Sequence, residues 1–394
     1  MLILSWLLLI HSALAAAMSL AIGLVLAYSD RCIKRLADVP IPAGDELPRI
    51  SLIAAAKDEE RNIEQAVRSL VAIDYPHLQI TLVNDRSRDA TGAILARLAA
   101  EFPQLNVVTV TELPAGWLGK NHALQLGAEH SRGEWLLFTD ADIIFEKSAL
   151  RRAIGYALEH QLDHLAATPD VQMNSWVLHA FVVTFSIYFT LFVKPWRVRD
   201  PRRPEHVGIG AFNLIRASVY RAIGQHEPIR MRPDDDLKLG KLVKKTGHRQ
   251  DLVHGVGLIA VEWYSSVREV IVGLEKNAFS GVDYRIGLTV GSSLFSLAFN
   301  VWPYLAVWIL PCLLPGVPAA ANWLYLVAVV LQLLTAIGFA RTMKLPVTTA
   351  FAWPFTVALF TFIQWRSMIL TYYRGGIRWR DTHYPLAELR ANRV

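Results

Sequence analysis

The sequence predicts an α/β protein, with a mainly parallel sheet in mid-chain and membrane-embedded helices at both ends. From about residue 49 to about residue 142, short apolar runs alternate with helix-period segments at intervals of roughly 25 to 30 residues, the signature of a parallel sheet. Polar residues gather just after these runs, at the strand ends where open α/β sheets bind ligands. The apolar excess of the chain sits at its two ends.

Composition narrows the possibilities. Of 394 residues 53% are hydrophobic, and mean hydropathy is +0.30, more apolar than a water-soluble chain of this length. The net charge is +6 and the pI about 9.3. With apolar ends and no nucleic-acid-binding motif, this basic excess reads as charge facing anionic lipid, with no nucleic-acid partner. The two cysteines, Cys32 and Cys312, build neither a disulfide framework nor a zinc site. Chemistry must therefore come from carboxylates, His, Lys and Arg.

Residues 2 to 27 are almost wholly apolar, long enough for the roughly 20 residues a membrane span needs. No basic residue precedes this run, and Arg31, Lys34 and Arg35 follow it, so residues 1–28 are expected to be an anchor rather than a cleaved leader. The positive flank puts the following domain in the cytoplasm. Residues 29–47, with Pro40 and Pro42, read as a stiff linker.

Four apolar runs then predict strands: Ile50 to Ala55, Leu78 to Val83, Val107 to Val110, and Trp135 to Phe138. The last ends in Asp140-Ala141-Asp142. Residues i and i+2 of a strand share a side, so both carboxylates can face one spot beyond the strand end. There they would repel unless a cation sat between them, and hard oxygen ligands suit Mg²⁺ or Mn²⁺. Taken alone, such a pair equally suits a polar turn. Likewise Lys57 to Glu60 suits a first helical turn, and Asn84-Asp85 a turn with an N-cap.

In order, Ala56-Lys57-Asp58-Glu59-Glu60, Val83-Asn84-Asp85-Arg86-Ser87-Arg88-Asp89, Gly119-Lys120-Asn121-His122-Ala123-Leu124 and Asp140-Ala141-Asp142 resemble the motifs of a family 2 glycosyltransferase with the GT-A fold. The resemblance covers residues 48 to about 280. Gly116-Trp117-Leu118-Gly119-Lys120 and the apolar ends resemble lipid-directed members: ceramide glucosyltransferase-like, carotenoid-acid and hopanoid-associated enzymes. The resemblance implies Glu59 near the ribose or base, Asp85 accepting from the uracil N–H, and Lys120 beside the diphosphate. It implies Asp142 as metal ligand, with Asp140 as ribose or metal partner, and Mn²⁺ or Mg²⁺ as cofactor. Gly208 to Arg216 resembles the segment lining the donor-sugar and acceptor pocket, with Gly210 against the donor.

Arg232-Pro233-Asp234-Asp235-Asp236-Leu237-Lys238-Leu239-Gly240 opens an amphipathic helix. The family carries an acidic pair here whose second member is the general base. Leu239-Gly240 aligns best with Asp236 as that base and Asp235 as the fallback. An inverting transferase needs one such carboxylate to take the acceptor's proton, and crowding by like charges raises its pKa.

One motif departs from the family. Where many members carry a Gln/Arg-x-x-Arg-Trp sequence, this chain reads Gly273-Leu274-Glu275-Lys276-Asn277. Lys276 is expected to supply the diphosphate-facing charge. Trp263 and Tyr264 fit either the acceptor side or an interfacial aromatic belt.

The domain expectations are a GT-A domain over 48–285, an interfacial helix over about 175–196, membrane helices over 286–372 and a basic tail over 373–394. The interfacial reading follows because a span at 175–196 would split the domain across the bilayer; Lys194, Arg197, Arg199, Arg202 and Arg203 would meet headgroups. Spans near 288–311, 320–340 and 347–370 would leave the basic tail on the far side, against the positive-inside rule. The function implied is inverting transfer of one sugar from a nucleoside diphosphate sugar, with UDP the favoured nucleotide, to a lipid or other membrane-embedded acceptor at the cytoplasmic face of the inner membrane. Two rivals are a processive polysaccharide synthase, disfavoured by the missing Arg-Trp pair, and an inactive membrane assembly subunit, disfavoured by the intact carboxylates.

Overall fold

A computed structural model describes residues 2–314 and 316–394. The chain forms two units. One is α/β, built from Ile33–Gln172, Val193–Trp263 and Ala387–Val394. The other is a set of apolar helices drawn from the chain up to Cys32, Met173–Phe192 and Tyr264–Leu386.

The α/β unit holds strands β1 (Lys34–Arg35), β2 (Ile50–Ala56), β3 (Leu78–Asp85), β4 (Leu105–Val110), β5 (Trp135–Asp140), β6 (Ile144–Phe145), β7 (His164–Thr168), β8 (Asp170–Gln172), β9 (Asn213–Arg216), β10 (Gln250–His254) and β11 (Ile259–Glu262). Eight of them form one sheet in the order β1-β10-β7-β9-β5-β2-β3-β4, and β6-β11-β8 form a smaller one. In the large sheet β9 runs antiparallel to both neighbours and the remaining pairings are parallel. The four predicted strands are β2 to β5, each within about two residues of the expected limits.

Both faces of this sheet are covered, which is why its strands read as continuous apolar runs. Leu52, Ala54 and Ala56 of β2 point to one side, where Ile63, Val67 and Leu70 of the helix Ile63–Val71 pack on them. Ile53 points to the other, against Leu124, Phe138, Tyr220 and Leu239. Truncating a residue such as the fully buried Leu52 to Ala would cost about 2–5 kcal/mol. Register places the functional edge: Ala55 lies opposite Asp140, Ala56 opposite Asn84, and Asp85 opposite Val110. The polar residues after β2, β3 and β5 therefore emerge side by side.

The unit begins at Ile33 rather than at residue 48. Leu36 and Val39 are buried in the core and β1 pairs with β10, so part of the expected linker belongs to the sheet. It closes at Trp263 and then takes back Ala387–Val394.

Among the described residues, five helices are long and apolar enough to cross a membrane: Leu2–Cys32, Trp176–Val198, Ile286–Cys312, Ala319–Thr342 and Val347–Tyr373. The three expected near 288–311, 320–340 and 347–370 are among them. Ala321, Tyr325, Ala328, Gln332, Ala336 and Ala340 form the buried side of Ala319–Thr342, where small residues allow close helix approach. Polar side chains in these helices find each other: Gln332 Nε2 donates to Ser19 Oγ at 3.1 Å, and the Thr184 and Thr356 hydroxyls stand 2.6 Å apart. The helix Trp176–Val193 is apolar around its circumference and packs Val183 and Ile187 against Leu26, Ala336 and Trp353. A two-stranded hairpin, β12 (Gly376–Trp379) and β13 (Thr382–Pro385), follows the last long helix.

Candidate active site

The site grows from the shared edge of β2, β3 and β5. β3 ends in Asp85, which is 3% exposed. Arg86 turns back at once, with a φ of 55°, a left-handed conformation uncommon for a non-glycine residue. Its side chain makes a two-pronged ion pair: Arg86 Nε donates to Asp85 Oδ1 at 2.7 Å and Nη2 to Oδ2 at 3.0 Å. The helix Gly119–Glu129 starts against this pair. A Cβ at Gly119 would lie 2.4 Å from Asp85 Oδ2 and would push the Asp85–Arg86 pair aside.

The next residue, Lys120, reaches the acids on the other side. Its Nζ lies 2.8 Å from Asp140 Oδ1 at the end of β5 and 3.6 Å from Asp235 Oδ1. Asp235 opens the helix Asp235–Lys245, where the dipole favours negative charge. Asn121 holds that approach in register. Its buried Nδ2 donates to the carbonyls of Ile229 at 2.8 Å and Arg232 at 3.0 Å, just before the acids.

β9 brings in the last element. Because it runs antiparallel to β5, with Asn213 opposite Phe138, the segment before it returns to the edge where Asp140 sits. The Asp140 N–H donates to the Gly210 carbonyl at 3.0 Å, and the Gly210 N–H donates to Asp236 Oδ2 at 2.7 Å. A Cβ on Gly210 would stand 2.7 Å from Asp140 Oδ2. Gly210 thus joins the strand-end acid to the helix-start acid by its backbone alone. Lys120, Gly210, Asp235, Asp236 and His226 line one pocket.

The three acids of the helix start have different partners. Asp234 is held by Arg232 through bonds of 3.0 and 3.1 Å, with Lys238 at 3.4 Å. Asp235 faces Lys120. Asp236 is met by N–H groups, those of Gly210 and, at 2.7 Å, Leu237. Burial, then the charge of Asp235, pushes the Asp236 carboxyl up to about 7. Burial also raises Asp235, although Lys120 opposes it. For Lys120 burial acts downward, but the charges of Asp140, Asp235 and Asp236 outweigh it and raise its pKa. His226 is buried and bonded through Nδ1 to the Tyr220 hydroxyl at 2.6 Å; burial, then Lys120, lowers it to about 3, so it is a neutral imidazole.

Asp142, half-buried after β5, is pushed up to about 7 by burial and then by the charges of Asp140 and Glu59. Among the described residues no three His, Cys, Asp or Glu side chains converge as a ready-made metal cage. The donor set still fits a hard divalent cation. The acids are near enough to repel, and Mg²⁺-type sites use one or two carboxylates with the remaining positions on substrate phosphate and water.

Of the residues singled out in the sequence, Lys120, Asp140, Gly210, Asp235 and Asp236 are in direct contact, Asp142 and Glu59 share a field with Asp140, and Asp85 borders Gly119. Lys276 is not in the α/β unit. On the helix Val267–Ser280 its Nζ lies 3.9 Å from the ring centre of Trp379, so a cation–aromatic pair exists whose ring comes from a distant hairpin. Sequence reasoning missed Arg86, Asn121 and His226. Asn121 and Arg86 stand inside the quoted motifs, which was the available signal; their partners were not visible.

Comparison with known proteins shows what the chain is similar to. Residues 51–224 match the model of glycosyl transferase family 2. Over that stretch the chain is similar to family 2 glycosyltransferases. Its fold is GT-A-like: a Pyrobaculum calidifontis mannosyltransferase, solved with GDP-Man and Mn²⁺, superposes with a TM-score of 0.51 at 18% identity, over 93% of this chain and 99% of that one. The 4,4'-diaponeurosporenoate glycosyltransferase of Staphylococcus aureus is 24% identical over 217 residues, 55% of this chain and 56% of that protein. The beta-monoglucosyldiacylglycerol synthase of Synechocystis sp. is 36% identical over 123 residues, 30% of this chain and 25% of that protein. The matched region thus spans between a quarter and just over half of these curated relatives.

Proposed function

We propose that this glycosyltransferase is metal-dependent and inverting, and moves one sugar from a UDP-sugar to the hydroxyl or carboxyl of a membrane lipid. The observation that carries this reading is the bridge at Gly210, whose carbonyl meets Asp140 and whose N–H meets Asp236. A donor end and a base end are thereby fixed to one residue. Asp85 accepts from the base, Glu59 lies toward the ribose, and Lys120 faces the diphosphate as a protonated point charge. Asp142, with Asp140, would hold Mn²⁺ or Mg²⁺, which supplies Lewis-acid neutralisation of the leaving diphosphate. Asp236 takes the acceptor proton as the acceptor oxygen attacks the anomeric carbon from the face opposite the diphosphate. Its N–H partners hold the carboxylate in one orientation, and a pKa near 7 suits a base at neutral pH.

A lipid acceptor is supported by the five long apolar helices and by the diacylglycerol and carotenoid acid in the names of two relatives. Placement at the cytoplasmic face follows from Arg31, Lys34 and Arg35 after the first helix. Residues on both sides of Trp176–Val193 pair in one sheet, β7 with β9 and β10. A single crossing there would tear that sheet, so this helix enters without traversing. Of the basic tail, Ala387–Val394, with Arg390 and Arg393, belongs to the α/β unit, which supports a tail end on the catalytic side.

The test is direct. Purified protein given UDP-sugars and membrane lipid should release UDP with Mn²⁺ or Mg²⁺ and stop when EDTA is added. Release that continues unchanged in EDTA, or in Asp142→Ala, would remove the metal role.

A further inference from the structure

The acids at the helix start depend on the loop 228–232 immediately before them, and two asparagines grip that loop. Asn121 binds the carbonyls of Ile229 and Arg232, and the Leu118 N–H adds a bond of 2.9 Å to the Arg230 carbonyl. The second grip comes from Asn392, far along the chain. Its Oδ1 accepts from the Met231 N–H at 3.1 Å and its Nδ2 donates to the Pro228 carbonyl at 3.0 Å.

Asn392 is itself seated. Leu389 is fully buried, Val394 packs on the cluster containing Phe138, Ile229 and Leu239, and Lys241 Nζ donates to the Val394 carbonyl at 2.8 Å. A side-chain amide that completes two backbone bonds of an irregular loop removes its freedom to hinge, because both groups would otherwise exchange with water. From Pro233 the chain passes straight into Asp234, Asp235 and Asp236, so the loop sets where that helix begins.

We propose that residues 387–394 are a strap, and that Asn392 is a positioning residue for the helix-start acids. This rests on the reading of Asp236 as the base. Asn392 acts through the loop, holding Pro228 and Met231 while Asn121 holds Ile229 and Arg232. The strap is the part of the chain that returns to the α/β unit after the apolar helices, so the loop is fully held only when that return has been made.

The experiment uses the full chain in lipid nanodiscs, comparing wild type with Asn392→Ala and Asn392→Asp. Amide hydrogen exchange over 229–236, UDP affinity, melting temperature and transfer kinetics are measured on each. For Asn392→Ala the strap predicts exchange in 229–236 faster by about tenfold and kcat lower by about tenfold, with UDP affinity and donor KM nearly unchanged. Asn392→Asp keeps the acceptor for Met231 but loses the donor to Pro228, and should fall between. Exchange and kcat at the wild-type level in both variants would overturn the proposal. So would a uniform loss of melting temperature, UDP affinity and kcat, which marks a merely structural residue. A wild type that binds UDP yet transfers no sugar would refute the enzymatic reading, while the exchange measurement would still report on the strap.

Discussion

The acids at the strand ends and the acids at the helix start are chemically the same and are treated alike by the fold. At the strand ends Asp85 is locked by Arg86 and Asp140 by Lys120, while Asp142 is raised to about 7 by burial and its acidic neighbours. At the helix start Asp234 is locked by Arg232 and Asp235 faces Lys120, while Asp236 is raised to about 7 and rests on N–H groups. Each trio thus has two acids facing basic side chains and one, raised to about 7, without such a pair among its named contacts. Those two are the acids proposed for the metal and for the proton.

Breaking the comparison at its sharpest point should have the largest effect. Asp236→Asn keeps size and hydrogen-bonding shape but cannot accept a proton, so kcat should fall by about 10³-fold with UDP affinity nearly unchanged, measured by transfer assay and calorimetry. If Asp235→Asn does this instead, the base is Asp235. On the strand side, Asp142→Ala should lower kcat/KM by about 10²-fold and weaken Mn²⁺ binding in the presence of UDP. Lys120→Met touches both trios and should raise donor KM and lower kcat together, by about tenfold each.

The pH profile sharpens the same contrast. As the proposed base Asp236 must be ionised to act, and its raised pKa means that the neutral form accumulates as pH falls through about 7. The logarithm of kcat/KM should therefore drop by about one per pH unit below 7 and level off above it. The smallest effect on chemistry is expected at Asp234. Asp234→Asn leaves the buried Arg232 undercompensated and should cost about 3 kcal/mol of stability in denaturant titration, with kcat in the surviving protein close to wild type.

Much of this was legible in the sequence because a doubly covered sheet writes itself as apolar runs ending in polar residues. Leu52, Leu82 and Leu137 sit mid-run, and Asp85 and Asp140 end their strands. The direction of β9 was not legible: four residues, Asn213 to Arg216, carry no signal of which way they run. Yet that direction delivers Gly210 to Asp140. Arg86 was hidden because it turns left-handed without a glycine to announce the turn. Asn121 and Asn392 were hidden because their partners are backbone groups more than a hundred residues away. The expected place of Lys276 beside the diphosphate relied on motif order, and that order says nothing of the ring it rests on in β12.

The central claim is single-sugar transfer to lipid by a metal-assisted carboxylate base. Its most direct test is to incubate the protein in nanodiscs with a UDP-hexose, Mn²⁺ and a membrane lipid extract, then read lipid masses and the anomeric configuration of the product. The account predicts a lipid heavier by one hexose, with inverted configuration, absent in Asp236→Asn. A polymeric product, a retained configuration, or the same glycolipid formed by Asp236→Asn would contradict it.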